Sequence, residues 1–396
     1  MPLTILFDLD DTLLQTNMTQ FLPAYFNKLG QALSHIAPQK EIRDQIYFAV
    51  KEMSLNQDPA RSLNQIFADH FYPQLGTTEE ACRDALAQFY AQEFPKLRVK
   101  TKVKPEAQEL VNWCLTKGFV MAIATNPLFP ERATKQRIKW AGLNPENFVF
   151  FSHYDNFHFT KPNLSYYAEC MGKLGWPEQP ALMIGDNLER DLIPVEKMGL
   201  MSFWITDQPS TSKRAQGSLK DAWKYTEAID RTASFALKET FDVQLAILRA
   251  TPAILDTWLK QVPRESFLRK PAPNEWSILE VFWHLADYEN EIFNPQWEQI
   301  QKNPKLMLTH REISRWADER DYQSRDPKDA LALFLEKRKN SLMLIEMLYE
   351  KGDYERSVQH TIFSKTTVAE LTAFAAKHDR LHLQQIANLV DIYKIY

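Results

Sequence analysis

At 396 residues the chain is too long for one ordinary core, and its 44% hydrophobic and 25% charged residues are the composition of a folded globular protein of two or three domains. A formal net charge of −4, without a dense Lys/Arg block, gives no electrostatic reason to expect a nucleic acid partner. Cys82, Cys114 and Cys170 are isolated and lack Cys-x-x-Cys spacing, which argues against a disulfide framework and fits a reducing compartment.

The first predicted element is a short buried strand, Leu3 to Phe7, after which Asp8, Asp10 and Asp11 arrive where the strand should become a loop. Buried acids so close together repel one another and raise their own pKa values unless a cation sits among them, so a bound metal is implied. Asp8 and Asp10 are two apart and on an extended segment project to the same side. Because Asp8 interrupts the opening apolar run and no basic leader precedes it, a signal peptide is not expected. No apolar run approaches the ~20 residues that span a bilayer, so the expectation is a soluble cytoplasmic protein without a membrane partner.

From about Gln15 to Val103 the spacing is helical, with almost no strand signal. Phe21, Tyr25, Phe26 and Leu29 form one apolar stripe, Ile42, Ile46 and Val50 a second, and Leu86, Phe89, Tyr90 and Phe94 a third. Inserted directly after the acidic strand end, this segment is placed to act as a lid. An α/β pattern then resumes: a helix around Pro105 to Thr116, a strand Phe119 to Ala124 ending in Thr125-Asn126-Pro127, and a third apolar run, Phe148 to Phe151, that leads to Lys161-Pro162. A hydroxyl and turning backbone amides at a strand end can donate to a phosphate oxygen. A fourth strand, Ala181 to Ile184, runs into Gly185-Asp186 with Asp191 five positions on, and Gly185 permits a tight exit. A last strand, Met201 to Thr206, precedes a polar loop, Asp207 to Lys213, and a closing helix, Ser218 to Ala228.

These four strand ends resemble, in order, the motifs of the haloacid dehalogenase superfamily: Asp-x-Asp-x-Thr at Asp8, Asp10 and Thr12, then Thr125, then Lys161, then Gly-Asp-x4-Asp at Asp186 and Asp191. The resemblance implies an α/β fold with a Rossmann-like parallel-sheet core at 1–15 and 104–228 and an inserted helical cap at about 16–103. It implies a phosphatase acting on a small phosphorylated metabolite, with Asp8 as nucleophile, Asp10 as acid/base, and Thr125 and Lys161 stabilising the phosphoryl oxygens. Mg²⁺ would be held by Asp8, the backbone carbonyl of Asp10 and Asp186, with Asp191 ligating through water or supporting the others. Asp10 sets dehalogenation below phosphoester cleavage, because only an alkoxide leaving group needs a proton there. A phosphomutase shares the same residues and stays open.

After a linker at 229–234, residues 235–396 lose the strand signal and show four amphipathic stretches, Phe241 to Leu259, Ser277 to Gln301, Pro327 to Lys351 and Val368 to Tyr393, which suggest an all-α, up-and-down four-helix bundle. Ser277 and Glu280 form a capping box that starts the second helix. His378 and His382, at i and i+4, share a face, and His284 on another helix could complete a metal site. Trp276-Ser277…His284-Leu285 with His378…His382 resembles the DinB-like metalloprotein family, which implies that these histidines bind a divalent metal such as zinc or nickel. On that resemblance the bundle could instead be the working part, as a binding or sensing protein or a metal-dependent thiol transferase. The sequence leaves a homodimer open.

Overall fold

The computed structural model describes residues 2–208, 214–230, 232, 236–303, 307–309, 313 and 315–390. The chain divides into two compact units, one of Met1–Tyr167 with Pro177–Lys238, the other of Ala168–Trp176 with the chain from Glu239 onward. Residues 209–213 of the polar loop, 231, 233 and 234 of the expected linker, and 391–396 at the end of the last expected helix lie outside the described residues.

In the first unit β1 (Thr4–Phe7) turns sharply into β2 (Leu14–Thr16), after which come α1 (Met18–Ala32), α2 (Gln39–Leu55), α3 (Leu63–Phe71) and α4 (Glu79–Gln88). β3 (Thr101–Val103) returns antiparallel to β2, so the helices hang from a two-stranded stalk. The chain then runs through α5 (Pro105–Thr116), β4 (Val120–Ile123), α6 (Glu131–Trp140), α7 (Leu164–Lys173), whose residues from Ala168 onward belong to the second unit, β5 (Ala181–Gly185), α8 (Ile193–Met198), β6 (Met201–Ile205), β7 (Gln216–Gly217) and α9 (Leu219–Ala228). The five parallel strands are ordered β4-β1-β5-β6-β7. Every residue of β1 and β5 is buried, as expected when helices cover both faces of a parallel sheet. Because β1 lies between β4 and β5, three motif-bearing strand ends become neighbours at one sheet edge, the usual ligand position in such folds.

Two local expectations need correction here. The stalk strands β2 and β3 fall within a segment expected to lack strands; each is only three residues long, too short for a period-two pattern to register. The run Phe148–Phe151 forms no continuous strand. It makes one parallel bridge, Ile123 to Phe151, because a 3-10 turn at Pro145–Asn147 delivers it late to the sheet edge and the chain then turns away at His153.

The second unit contains α10 (Phe241–Gln261), α11 (Arg264–Leu268), α12 (Ile278–Tyr288), α13 (Asn294–Lys302), β8 (Met307–Leu308), α14 (Trp316–Glu319), α15 (Pro327–Glu350), β9 (Ser357–His360), β10 (Ser364–Thr367) and α16 (Val368–Val390). One turn of π-helix, Glu289–Phe293, joins α12 to α13. The capping box is present: Ser277 Oγ accepts from Glu280 N at 3.3 Å and Glu280 Oε2 accepts from Ser277 N at 2.8 Å.

A bundle is confirmed, but its order is not up-and-down. α10 and α12 each pack on both α15 and α16, so α10 lies diagonal to α12 and α15 diagonal to α16, while α12 and α15 are neighbours. The connections permit this, since Val262–Ser277 and Lys351–Thr367 are long enough to cross the bundle end. The latter carries the hairpin β9–β10, joined by β8 in a small sheet that the sequence reading missed.

Candidate functional site

The strand ends build an acidic cluster. Asp8 N donates to Ile184 O at 2.9 Å, which fixes the end of β1 against β5. Carboxylate oxygens of Asp8, Asp186 and Asp191 lie within 4.8 Å of one another. Lys161 Nζ enters this group, donating to Asp8 Oδ1 at 2.8 Å and to Asp191 Oδ1 at 2.6 Å. Burial alone would lower the lysine pKa, yet Asp191 and Asp8 outweigh it and hold the ammonium above its ordinary range. One cation does not balance three carboxylates. Burial, reinforced by Asp8 and Asp191, pushes Asp186 up to about 7, and burial working against Lys161 pushes Asp191 up to about 6. Carboxylate oxygens crowded in this way suit a hard divalent cation.

Asp10 stands apart from that trio. Its carboxylate pairs with Arg137, a fully buried guanidinium on α6 whose carbon also lies 4.8 Å above the Phe129 ring and 5.2 Å above Phe21. Burial lowers the arginine to about 10. Asp11 adopts a left-handed backbone, φ 57°, and its Oδ1 accepts from Thr16 N at 2.9 Å, which bends the chain from the site into the stalk. Thr125 is buried at the end of β4, where its carbonyl accepts from Ser152 Oγ at 2.6 Å and Tyr166 OH at 2.7 Å.

Gly185 does a different job from the one its position suggests. A Cβ there would meet Asp191 Oδ2 at 2.5 Å, so glycine is needed for room beside the carboxylate rather than for a special backbone angle. One turn of π-helix, Leu188–Leu192, then carries Asp191 back toward the strand end, and Asn187 N donates to Asp191 Oδ2 at 3.0 Å. Trp204 Nε1 donates to the Asp186 carbonyl at 2.8 Å.

Asp8, Asp10, Thr125, Lys161, Asp186 and Asp191 thus line one cavity of about 680 Å³ between the sheet edge and the helices α1 to α4. Arg137, Asn187, Ser152, Tyr166 and Trp204 were not identified from sequence. Arg137 left a usable signal, a lone cation on the buried face of α6 beside Ala133 and Ile138. Trp204 left none, because its partner is a backbone carbonyl.

The second unit gathers the other predicted residues. Ring nitrogens of His284 on α12 and of His378 and His382 on α16 lie within 4.8 Å of one another, and the Nε2 atoms of His284 and His378 face each other at 3.1 Å. Burial, with mutual repulsion, pushes His382 down to about 3 and His284 lower still, so both imidazoles are neutral and offer lone pairs. His378 Nδ1 is buried without a hydrogen-bond partner, its distance of 3.8 Å from Asp379 Oδ1 being beyond reach. Three converging imidazoles suit a borderline divalent metal. Trp276 covers the cluster, its ring centroid 4.7 Å from that of His284 and 6.1 Å from that of His382.

Arg338 on α15 ties the histidine-bearing segments together. It donates to Glu289 Oε2 at 2.7 Å, to Asp379 Oδ2 at 2.5 Å and to Leu248 O at 2.8 Å, all within the bundle interior. Asp379 is the immediate neighbour of His378.

Residues 3–199 match the family model for haloacid dehalogenase-like hydrolases and residues 247–386 the model for the DinB superfamily. The chain joins a haloacid dehalogenase-like hydrolase domain to a DinB-superfamily domain. Uncharacterized protein YuaE of Bacillus subtilis (strain 168) is 25% identical over 152 residues, 35% of this chain and 93% of that protein. Among solved structures, a HAD phosphatase from Thermococcus onnurineus is similar at 19% identity and TM-score 0.38, over 59% of this chain and all (100%) of that one. A 2-haloacid dehalogenase from Pseudomonas syringae pv. Tomato DC3000 is 17% identical with TM-score 0.41, over 57% of this chain and 99% of that one. YfiT from Bacillus subtilis, a four-helix bundle, is 19% identical with TM-score 0.35, over 41% of this chain and 90% of its own. No helix among the described residues of either domain is long and apolar enough to cross a membrane.

In the hydrolase domain the close approach at Gly185 yields a direct test. Gly185→Ala should lower the domain's unfolding free energy by about 1–3 kcal/mol through overpacking, read by denaturant titration. An unchanged midpoint would mean that Asp191 does not need the space.

Proposed function

We propose that the hydrolase domain is a Mg²⁺-dependent phosphomonoesterase acting on a small phosphorylated metabolite. The observation that carries this reading is the unbalanced charge of Asp8, Asp186 and Asp191 around the single ammonium of Lys161. Mg²⁺ held by Asp8, Asp186 and the Asp10 carbonyl, with Asp191 at its margin, would supply the missing positive charge and draw electron density from the phosphoryl oxygens.

An Asp8 carboxylate oxygen attacks phosphorus, the bond from phosphorus to the ester oxygen breaks, and an aspartyl-phosphate forms on Asp8. Asp10 gives its proton to the departing alkoxide, then takes one from the water that attacks the same phosphorus, which releases phosphate and restores Asp8. Arg137 orients the Asp10 carboxylate. Lys161 and the Thr125 hydroxyl stabilise the transferring oxygens.

Asp10 also favours this reading over dehalogenation, since a halide leaves without a proton. A phosphomutase would use the same residues and differ in water exclusion. Nucleic acid and membrane partners are no part of the proposal, and a cytoplasmic setting is supported by the isolated positions of Cys82, Cys114 and Cys170, which lack Cys-x-x-Cys spacing.

Phosphate release from a generic aryl phosphate should require both Mg²⁺ and Asp8. Chelator should abolish it, and Asp8→Asn should lower kcat at least about 10⁴-fold, the scale of losing a covalent nucleophile. Turnover that survives in Asp8→Asn would refute the assignment.

For the DinB domain we propose a divalent metal, zinc or nickel, on His284, His378 and His382. The unpartnered His378 Nδ1 and the facing Nε2 atoms of His284 and His378 support it. Metal analysis of the purified chain should find close to one equivalent, lost in His378→Ala; a metal-free bundle would remove this proposal.

A further inference from the structure

The cavity above the acidic cluster has two chemically opposite ends. Its floor carries the reacting carboxylates and Lys161, while its roof, supplied by α1 to α4 and the π-helical turn Phe89–Glu93 that follows, includes Leu22, Tyr25, Phe26, Ile46, Phe71 and Tyr90. Among the described residues, no cap side chain lining the cavity is Lys, Arg, His, Asp or Glu. The polar atoms on the roof are partly spoken for. The Tyr25 and Tyr90 hydroxyls bond each other at 2.7 Å, and Ser54 Oγ donates to Val50 O at 2.9 Å within its own helix. Burial pushes the Tyr25 phenol up to about 12, as a dry wall would.

Such a roof discriminates by desolvation. A carboxylate or a sugar ring seated there would surrender its hydration to groups that do not replace it. An alkyl or aryl group would surrender nothing and would gain from leaving water. A cavity of about 680 Å³ falls in the range that encloses a drug-sized ligand, so it holds a leaving group considerably larger than a two-carbon acid.

We infer that the substrate is the phosphomonoester of an uncharged, apolar alcohol, its phosphate on the acidic floor and its hydrocarbon against the aromatic and aliphatic roof. This rests on the phosphomonoesterase reading above and adds the chemical class of the alcohol. The class has two sources, chain alkyl and fused aryl groups, which share the same requirement for burial.

The test is a comparison of kcat/KM for the full chain with Mg²⁺. One arm is ethyl, butyl, hexyl and octyl phosphate; a second is phenyl against naphthyl phosphate; a third is glucose 6-phosphate and phosphoglycolate. The inference expects a rise of about fourfold per buried methylene until the cavity is full. It expects naphthyl above phenyl and the third arm well below both. A steeper rise in the first or second arm identifies which hydrocarbon fits. In Val50→Lys, which puts an ammonium on a half-buried roof position, the slope with chain length should flatten and phosphoglycolate should improve relative to octyl phosphate. Turnover that is flat along the alkyl series, or greatest for the sugar or acid esters, would overturn the apolar class and leave the phosphomonoesterase standing. Absence of phosphate release from every ester would overturn both, and the wild-type series decides this even if the variant fails to fold.

Discussion

The hydrolase domain is organised by an electrostatic deficit. Three carboxylates converge at the edge of a parallel sheet, and Lys161 reaches two of them, Asp8 and Asp191. Burial, reinforced by Asp8 and Asp191, raises the Asp186 pKa. Much of the surrounding structure serves to hold this unfavourable arrangement in place. Gly185 makes room for Asp191, Asn187 and the Trp204 indole pin the neighbouring backbone, and the β4-β1-β5 order brings the strand ends together. Buried like charges are costly unless a counterion completes them, so the fold's expense points directly at what the site binds.

The DinB domain gathers imidazoles where the hydrolase domain gathers carboxylates. Three of them converge, and His378 Nδ1 is left without a hydrogen-bond partner. The charge in that domain is elsewhere, in Arg338 and its two carboxylate partners, Glu289 and Asp379. That network binds three helical segments through one guanidinium, so it orients the histidines without competing for a metal.

What could be read from the sequence follows from how local each feature is. Asp8, Asp186 and Asp191 were legible because strand ends are marked by a change from apolar to acidic residues, and the helical stripe of Phe21, Tyr25, Phe26 and Leu29 returned intact as the buried face of α1. His378 and His382 were legible because four residues make roughly one helical turn. Arg137, by contrast, meets Asp10 from a helix 127 positions away, and nothing in the spacing of either reports the other. The bundle order was misjudged for the same reason: amphipathic stretches reveal four helices but not which are neighbours, and the hairpin β9–β10 that lets the chain cross is too short to show in a periodic pattern.

The central claim is that a divalent cation completes the charge around Asp186, and calorimetric titration of the full chain with Mg²⁺ in two buffers of different ionisation heat tests it directly. At pH 6 Asp186 is mostly protonated, so binding must expel a proton, whereas at pH 8 it is already ionised. The account predicts proton release on Mg²⁺ binding at pH 6 and little at pH 8, both lost in Asp186→Asn. Binding with no proton release at either pH, or no binding that depends on Asp186, would contradict it.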